Sequence, residues 1–243
     1  MVASVAAQPL AEQVAWACRI LALEGYADLT LGHVSGREGP GGLVHIKRRG
    51  VALDEVELED VIPLDPASGE AFESPEMHLE AVLHTEVYRA RPDVGAVVHG
   101  HPPYATALAS CEAPLELLTH DSVLFADGIG VFEETPELIT GPEMGRAVAA
   151  ALGSRRAVLM RNHGVLIVGA DVPWAVLGAV TLERAIRLQS IAGSLGRPSP
   201  IPLETALRML PEKYNNGLVE EYWAAWLRRL RRAGLALAAE TKP

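Results

Sequence analysis

The chain of 243 residues carries 31 Asp and Glu against 21 Lys and Arg, a formal net charge of −10. A hydrophobic share of 49% supplies a real core and excludes general disorder, and the acidic balance argues against nucleic acid as a general partner. No run of about 18 residues is free of charged and polar side chains, so no membrane span is expected.

The opening stretch MVASVAAQPLAEQ lacks the basic and apolar regions of a secretory signal. Cys18 and Cys111 are too few for a disulfide framework and show no metal-ligand spacing. A cytoplasmic protein is expected. Val14, Ala17, Ile20 and Leu21 predict a helix over 10–25, stopped at Gly25. Short strands follow at 29–35 and 43–46, joined by a Gly/Pro turn at 39–42, and 60–65 reads as another. A helix over 76–91 starts behind Pro75 and stops at Pro92, with Leu79, Leu83 and Val87 or Val82 as its buried stripe. Residues 94–99 form an apolar strand running into a turn, 103–110 a helix, and 115–118 and 130–132 short strands. A helix over 142–153 ends at Gly153; two strands flank Asn162-His163-Gly164; one long helix covers 171–196. After a Pro-rich hinge at 198–202, a last helix covers 217–234, within a helical tail spanning about 203–235 of a single domain, 1–243. Strands flanked by helices with hairpin-like joins predict an α/β fold, a three-layer αβα sandwich with a largely antiparallel sheet.

His99-Gly100-His101 closes an apolar strand and opens into Pro102-Pro103. Side chains two apart on a strand share a face, so the two imidazoles can take one divalent cation, although the same pair also suits a polar strand edge. His163, in Arg161-Asn162-His163-Gly164, is a third candidate ligand or an exposed turn histidine. Three histidines with open positions is the pattern of a catalytic metal rather than a sealed structural one. Glu80 and His84, four apart on the predicted helix, share a face. Taken alone, Glu80 reads as a solvated helix glutamate.

Glu80-x-x-x-His84, Arg91-Pro92-Asp93-Val94, Ala96-Val97-Val98-His99-Gly100-His101 and Arg161-Asn162-His163-Gly164 together resemble the core motif of the class II aldolase/adducin superfamily. Gly32-His33-Val34-Ser35-x-Arg37 resembles its GN(I/V)SxR segment, and the likeness covers about residues 10–195. The resemblance implies an αβα sandwich around a mixed, mostly antiparallel sheet, and a homotetramer with active sites between subunits. It implies one divalent metal ion per subunit: zinc first, with Mn, Fe and Co as alternatives. His99, His101 and His163 become its ligands, and Glu80, nineteen residues before His99, the acid/base. His120 lies where aldolase relatives have a proton-donating tyrosine and is a candidate second acid. His84 is expected to orient a ligand or Glu80.

The phosphate-binding elements of the sugar-phosphate aldolases are replaced here. His33 stands in the Asn position, Lys47-Arg48-Arg49-Gly50 in the TPSG-like turn, and His78-Leu79-Glu80 in the SSE stretch. A leucine cannot donate to a phosphate oxygen, whereas arginine forks match planar carboxylates. Arg49, with Lys47, His33, Ser35 and His78, is therefore a candidate contact for a small carboxylate-bearing substrate. The IKRRG segment followed by DVIPLD resembles a branch that includes 3,4-dihydroxyphthalate decarboxylases. The expected function is decarboxylation of a non-phosphorylated dihydroxyaromatic or hydroxy acid. The alternatives are an aldolase on a hydroxycarbonyl compound, a non-haem iron oxygenase, and a metal-free adducin-like interaction module. In the C-terminal helix, Leu218, Tyr222, Trp226 and Leu230 form the expected packing stripe, and Tyr214 and Tyr222 are candidates to close a neighbour's site.

Overall fold

The sequence alternates short apolar strands with amphipathic helices, and the chain folds accordingly. The computed structural model describes residues 8–26, 28–65 and 74–238; the first seven of the thirteen residues from which no secretory leader is expected lie outside them. The strands are β1 (His33–Arg37), β2 (Val44–Lys47), β3 (Val61–Leu64), β4 (Ala96–Gly100), β5 (Gly130–Phe132), β6 (Ala157–Met160) and β7 (Gly164–Gly169). The helices are α1 (Leu10–Leu23), α2 (Ala81–Ala90), α3 (Pro103–Ala109), α4 (Pro142–Leu152), α5 (Val172–Leu195), α6 (Leu203–Lys213) and α7 (Asn216–Arg232). Among the described residues, no helix is long and apolar enough to cross a membrane.

The strands join in one sheet of order β3-β2-β1-β4-β7-β6-β5. Every neighbouring pair is antiparallel except β5 and β6. Strand alternation sends Val34, Ala96, Val98, Val165 and Ile167 into one core with Trp16, Val176 and Trp223. Val44, Ile46, Val97, Leu166 and Val168 enter a second core with Leu83, Val87 and Leu152. Both faces of the sheet are thus covered, by α1, α5 and α7 on one side and α2 and α4 on the other. This is the expected αβα sandwich with a mixed, mostly antiparallel sheet.

Several local expectations shift. The helix expected over 76–91 begins only at Ala81. Pro75 opens a turn, closed by Met77 N–H to the Ser74 carbonyl at 3.1 Å, and the chain then runs to Glu80 with His78 and Glu80 buried and Leu79 facing out, 51% exposed. Leu79 is therefore not part of the buried stripe. The strand expected from Leu29 starts at His33, because Leu29 has a φ of +50° and sits in a turn. Residues 115–118 form no strand; the Leu117 carbonyl instead accepts from Ile201 N–H at 2.6 Å. Beyond the hinge an extra helix, α6, precedes α7. The buried face of α7 is Val219, Trp223, Trp226, Leu227 and Leu230, so Leu218 and Tyr222 flank the stripe rather than form it.

Candidate metal and catalytic site

The β1–β4 register sets His33 directly opposite His99, and strand alternation turns both rings toward α2. His101 follows where β4 ends. The three-residue turn between β6 and β7 carries His163; its middle residue, Asn162, takes a φ of +56°, which asparagine tolerates. Because β7 pairs with β4, this turn comes to rest beside His101. One ring nitrogen from each of His99, His101 and His163 lies within 4.8 Å of the others. The His99 ring is edge-on to both others, with centroids 5.0 Å from His101 and 5.2 Å from His163.

Glu80 reaches the same point from the start of α2. Its Oε1 accepts from Ile139 N–H at 2.8 Å. Its two oxygens lie 3.5 Å from Nε2 of His163 and 3.5 Å from Nε2 of His99. Burial alone would raise the carboxyl's pKa, but the His163 and His99 rings beside it override this, holding Glu80 well below the usual carboxylate range. His99 moves the other way, lowered by burial despite Glu80. It is thus neutral, as a metal-ligating imidazole must be.

Whether these residues suit a cation follows from their unmet partners. Among the described residues, both ring nitrogens of His99 and Nδ1 of His163 are buried with no hydrogen-bond partner. Buried polar atoms without partners are costly, and a divalent ion can engage one nitrogen of each ring. His101 points the same way. Its Nδ1 is bonded to the Asp28 carboxylate, which orients the ring and leaves Nε2 as the free nitrogen. The donor set therefore fits a divalent metal. His33, Glu80 and His99 form a second, overlapping group within 4.8 Å.

The other candidates divide. The His33 and His78 rings lie against each other at a tilt of 41° beside the cluster, 4.4 Å between centroids. Burial, with Lys47 next, lowers the His78 pKa to about 3. Lys47 is fully buried, donating to the Thr30 carbonyl at 3.2 Å and facing His78 Nε2 at 3.4 Å. Arg48 is taken by Asp60 at 2.7 Å. Arg49 is exposed, and its charge acts on His78. Ser35 does not face the open side: its hydroxyl is taken by His84 Nδ1 at 2.6 Å and Tyr88 OH at 2.7 Å, so it orients neighbours rather than offering itself to a substrate. His120 stands apart from the cluster; it is exposed, and its carbonyl accepts from Tyr214 OH at 2.9 Å. That bond folds Tyr214 onto its own chain. Asp28, Ile139 and Tyr88 were not legible as site residues. Asp28 meets His101 across 73 residues of sequence, and no local spacing links them.

A seven-stranded αβα sandwich with convergent histidines and a buried glutamate at one sheet end defines a class II aldolase-type protein. Residues 12–190 match the family described as Class II Aldolase and Adducin N-terminal domain, and the chain belongs to that family. It is 30% identical over 234 residues to a 3,4-dihydroxyphthalate decarboxylase of Arthrobacter keyseri, covering 91% of this chain and 94% of that protein. It is 34% identical over 149 residues to Decarboxylase NovR of Streptomyces niveus, covering 60% of this chain and 55% of NovR, so the match spans about half the length of that relative. An aldolase II superfamily protein from Pseudomonas syringae superposes with a TM-score of 0.80 at 25% identity, over 96% of this chain and 98% of the other.

Proposed function

We propose that the protein is a divalent-metal-dependent carbon–carbon lyase that decarboxylates a non-phosphorylated dihydroxyaromatic acid, of the 3,4-dihydroxyphthalate kind, or a related hydroxy acid. The observation that carries the proposal is the meeting of three imidazoles with one buried carboxylate, which lies 3.5 Å from two of the rings and accepts from Ile139 N–H. A relative aligned over nearly its whole length and named for this decarboxylation supports the choice of substrate.

His99, His101 and His163 would hold the metal, with zinc first and Mn, Fe or Co as alternatives. When bound, it supplies Lewis acidity to charge developing on adjacent substrate oxygens. Arg49 binds the substrate carboxylate, with the Lys47 ammonium and the neutral His78 imidazole behind it. Glu80, ionised and fixed by Ile139 N–H, takes the proton of a neighbouring substrate hydroxyl. As CO2 leaves, the electron pair of the broken bond stays on carbon, and Glu80 returns the proton there. Solvent restores the hydroxyl proton.

Four exposed leucines, Leu29, Leu31, Leu79 and Leu138, adjoin Asp28, His78, Glu80 and Ile139. Exposed apolar side chains on the segments that carry the site favour an active site completed between subunits of a homotetramer. His120, if it is the second acid, then acts in a neighbour's site. Free Cys18 and Cys111 suit the reducing cytoplasm.

The test is elemental analysis of purified protein followed by assay of an acid panel. About one metal per chain with CO2 released supports the proposal. Aldehyde release would favour an aldolase instead, dioxygen consumption an iron oxygenase, and a metal-free, inactive protein an adducin-like module.

A further inference from the structure

Behind the cluster runs a buried chain of hydrogen bonds that ends on a ring facing it. Tyr88 OH and Ser35 Oγ are 2.7 Å apart, Ser35 Oγ and His84 Nδ1 2.6 Å, and His84 Nε2 and His33 Nδ1 2.6 Å. We propose that this chain fixes His33 as a neutral Nε2–H donor, so that the substrate atom it meets is an acceptor oxygen of a carbonyl, carboxylate or phenolate. The proposal rests on reading the histidine–Glu80 cluster as the active site.

The direction of the chain follows from counting protons. Tyr88 is only 3% exposed and has one proton to give. Among the described residues, the Ser35 hydroxyl is the acceptor that the Tyr88 hydroxyl meets, at 2.7 Å. Were Ser35 the donor in that pair, the phenol proton would be stranded in the apolar interior, a loss of about 1–3 kcal/mol. Tyr88 therefore donates to Ser35. The Ser35 proton then goes to His84 Nδ1. A neutral His84 that accepts at Nδ1 carries its proton on Nε2 and donates to His33 Nδ1. His33, accepting at Nδ1, keeps its own proton on Nε2.

The surroundings reinforce this order. Burial raises the Tyr88 phenol above its ordinary pKa, keeping it protonated, and lowers His84 well below its own, keeping it neutral. The Arg37 guanidinium stands 4.7 Å from the Tyr88 ring centroid, polarising the phenol as a donor.

The tautomer also separates the two overlapping ligand groups. One ring nitrogen of His33 lies within 4.8 Å of His99 and Glu80, close enough to compete for a cation. A protonated Nε2 cannot ligate, and with Nδ1 engaged by His84, His33 is withheld from the metal and left to the substrate. Ser35, His84 and Tyr88 are thus positioning residues for His33.

The experiment is long-range ¹H–¹⁵N NMR of the full chain labelled with ¹⁵N-histidine, zinc-loaded and zinc-stripped, with His33 assigned through His33→Gln. The expected result is the Nε2–H tautomer in the unaltered protein, shifting toward a mixture in Tyr88→Phe and in Ser35→Ala. An Nδ1–H tautomer or an imidazolium at His33 in the unaltered protein would overturn the proposal, as would a tautomer unmoved by both substitutions. The readout needs no turnover. A protein that retains none of zinc, manganese, iron or cobalt would sink the lyase reading while the tautomer remained measurable.

Discussion

A Cβ at position 164 would lie 2.5 Å from Cδ2 of His101 and 2.7 Å from the Gly100 carbonyl oxygen, so Gly164 is what lets the two histidine-bearing segments touch. The neighbours on one side are backbone and on the other a candidate ligand ring, and neither can yield without moving the cluster. Gly164→Ala is expected to displace His101, weaken metal retention and destabilise the chain by about 1–3 kcal/mol, the usual range for overpacking. Metal content after dialysis and a urea midpoint measure both effects.

Asp28 gives a second handle on the same ring. Its carboxylate fixes His101 from outside the cluster, so Asp28→Ala removes no ligand yet loosens one. Metal affinity should fall about 10- to 100-fold, whereas His99→Ala should abolish metal binding and activity together. Competition with a graded series of chelators separates the two outcomes.

The histidine pattern was legible because strand and turn geometry are local. His99 and His101 sit two apart at a strand end, and His163 sits in a turn bounded by apolar strands. The sheet that joins them could be expected as a class, although its strand order could not. What escaped was non-local. Asp28 and Ile139 reach the cluster through loops whose path only tertiary packing sets. Ser35 looked like a substrate contact because its motif position suggested one, but the neighbouring β1 residue His33 faces the cluster while Ser35 is drawn down to Tyr88. Leu79 fitted a helical stripe, yet the turn begun at Pro75 keeps 76–80 out of the helix and frees His78 and Glu80 to point inward.

Glu80→Gln separates proton transfer from assembly. The amide oxygen can still accept from Ile139 N–H, so the start of α2 stays in place. The side chain can no longer exchange a proton. Turnover should drop about 10²- to 10⁴-fold with metal content unchanged; full activity in this variant would refute the assignment of Glu80.

Glu183 gives a pH signature away from the cluster. Its carboxylate caps α3, accepting from Tyr104 N–H at 2.9 Å and Ala105 N–H at 2.8 Å. Burial raises its pKa above the ordinary 4.5, and the two N–H groups offset that only in part. The folded state therefore holds this proton more tightly than the unfolded chain. Stability from this group is greatest below 4.5 and falls as pH rises from there through the raised folded value, then levels off. Glu183→Gln cannot titrate, so denaturation midpoints across a pH series should show the unaltered protein gaining on the variant as the solution is acidified. A constant difference between the two would contradict the assignment.

Arg49 distinguishes substrate binding from chemistry. Its backbone N–H is tied to the Glu76 carbonyl at 2.7 Å, which fixes the loop, while its side chain is exposed. Neighbouring Arg48 is committed to Asp60, and Lys47 is buried, so neither can take its place. A charge-assisted bond to a carboxylate contributes about 1.5–3 kcal/mol. Arg49→Ala should therefore raise KM about 10- to 150-fold and leave kcat nearly unchanged, since the contact is made equally before and during bond breaking. Steady-state kinetics on a dihydroxyaromatic acid carrying a second carboxylate, beside an analogue lacking it, tests this directly. Only the dicarboxylate should respond to the substitution, and an equal response from both would remove Arg49 from the binding site.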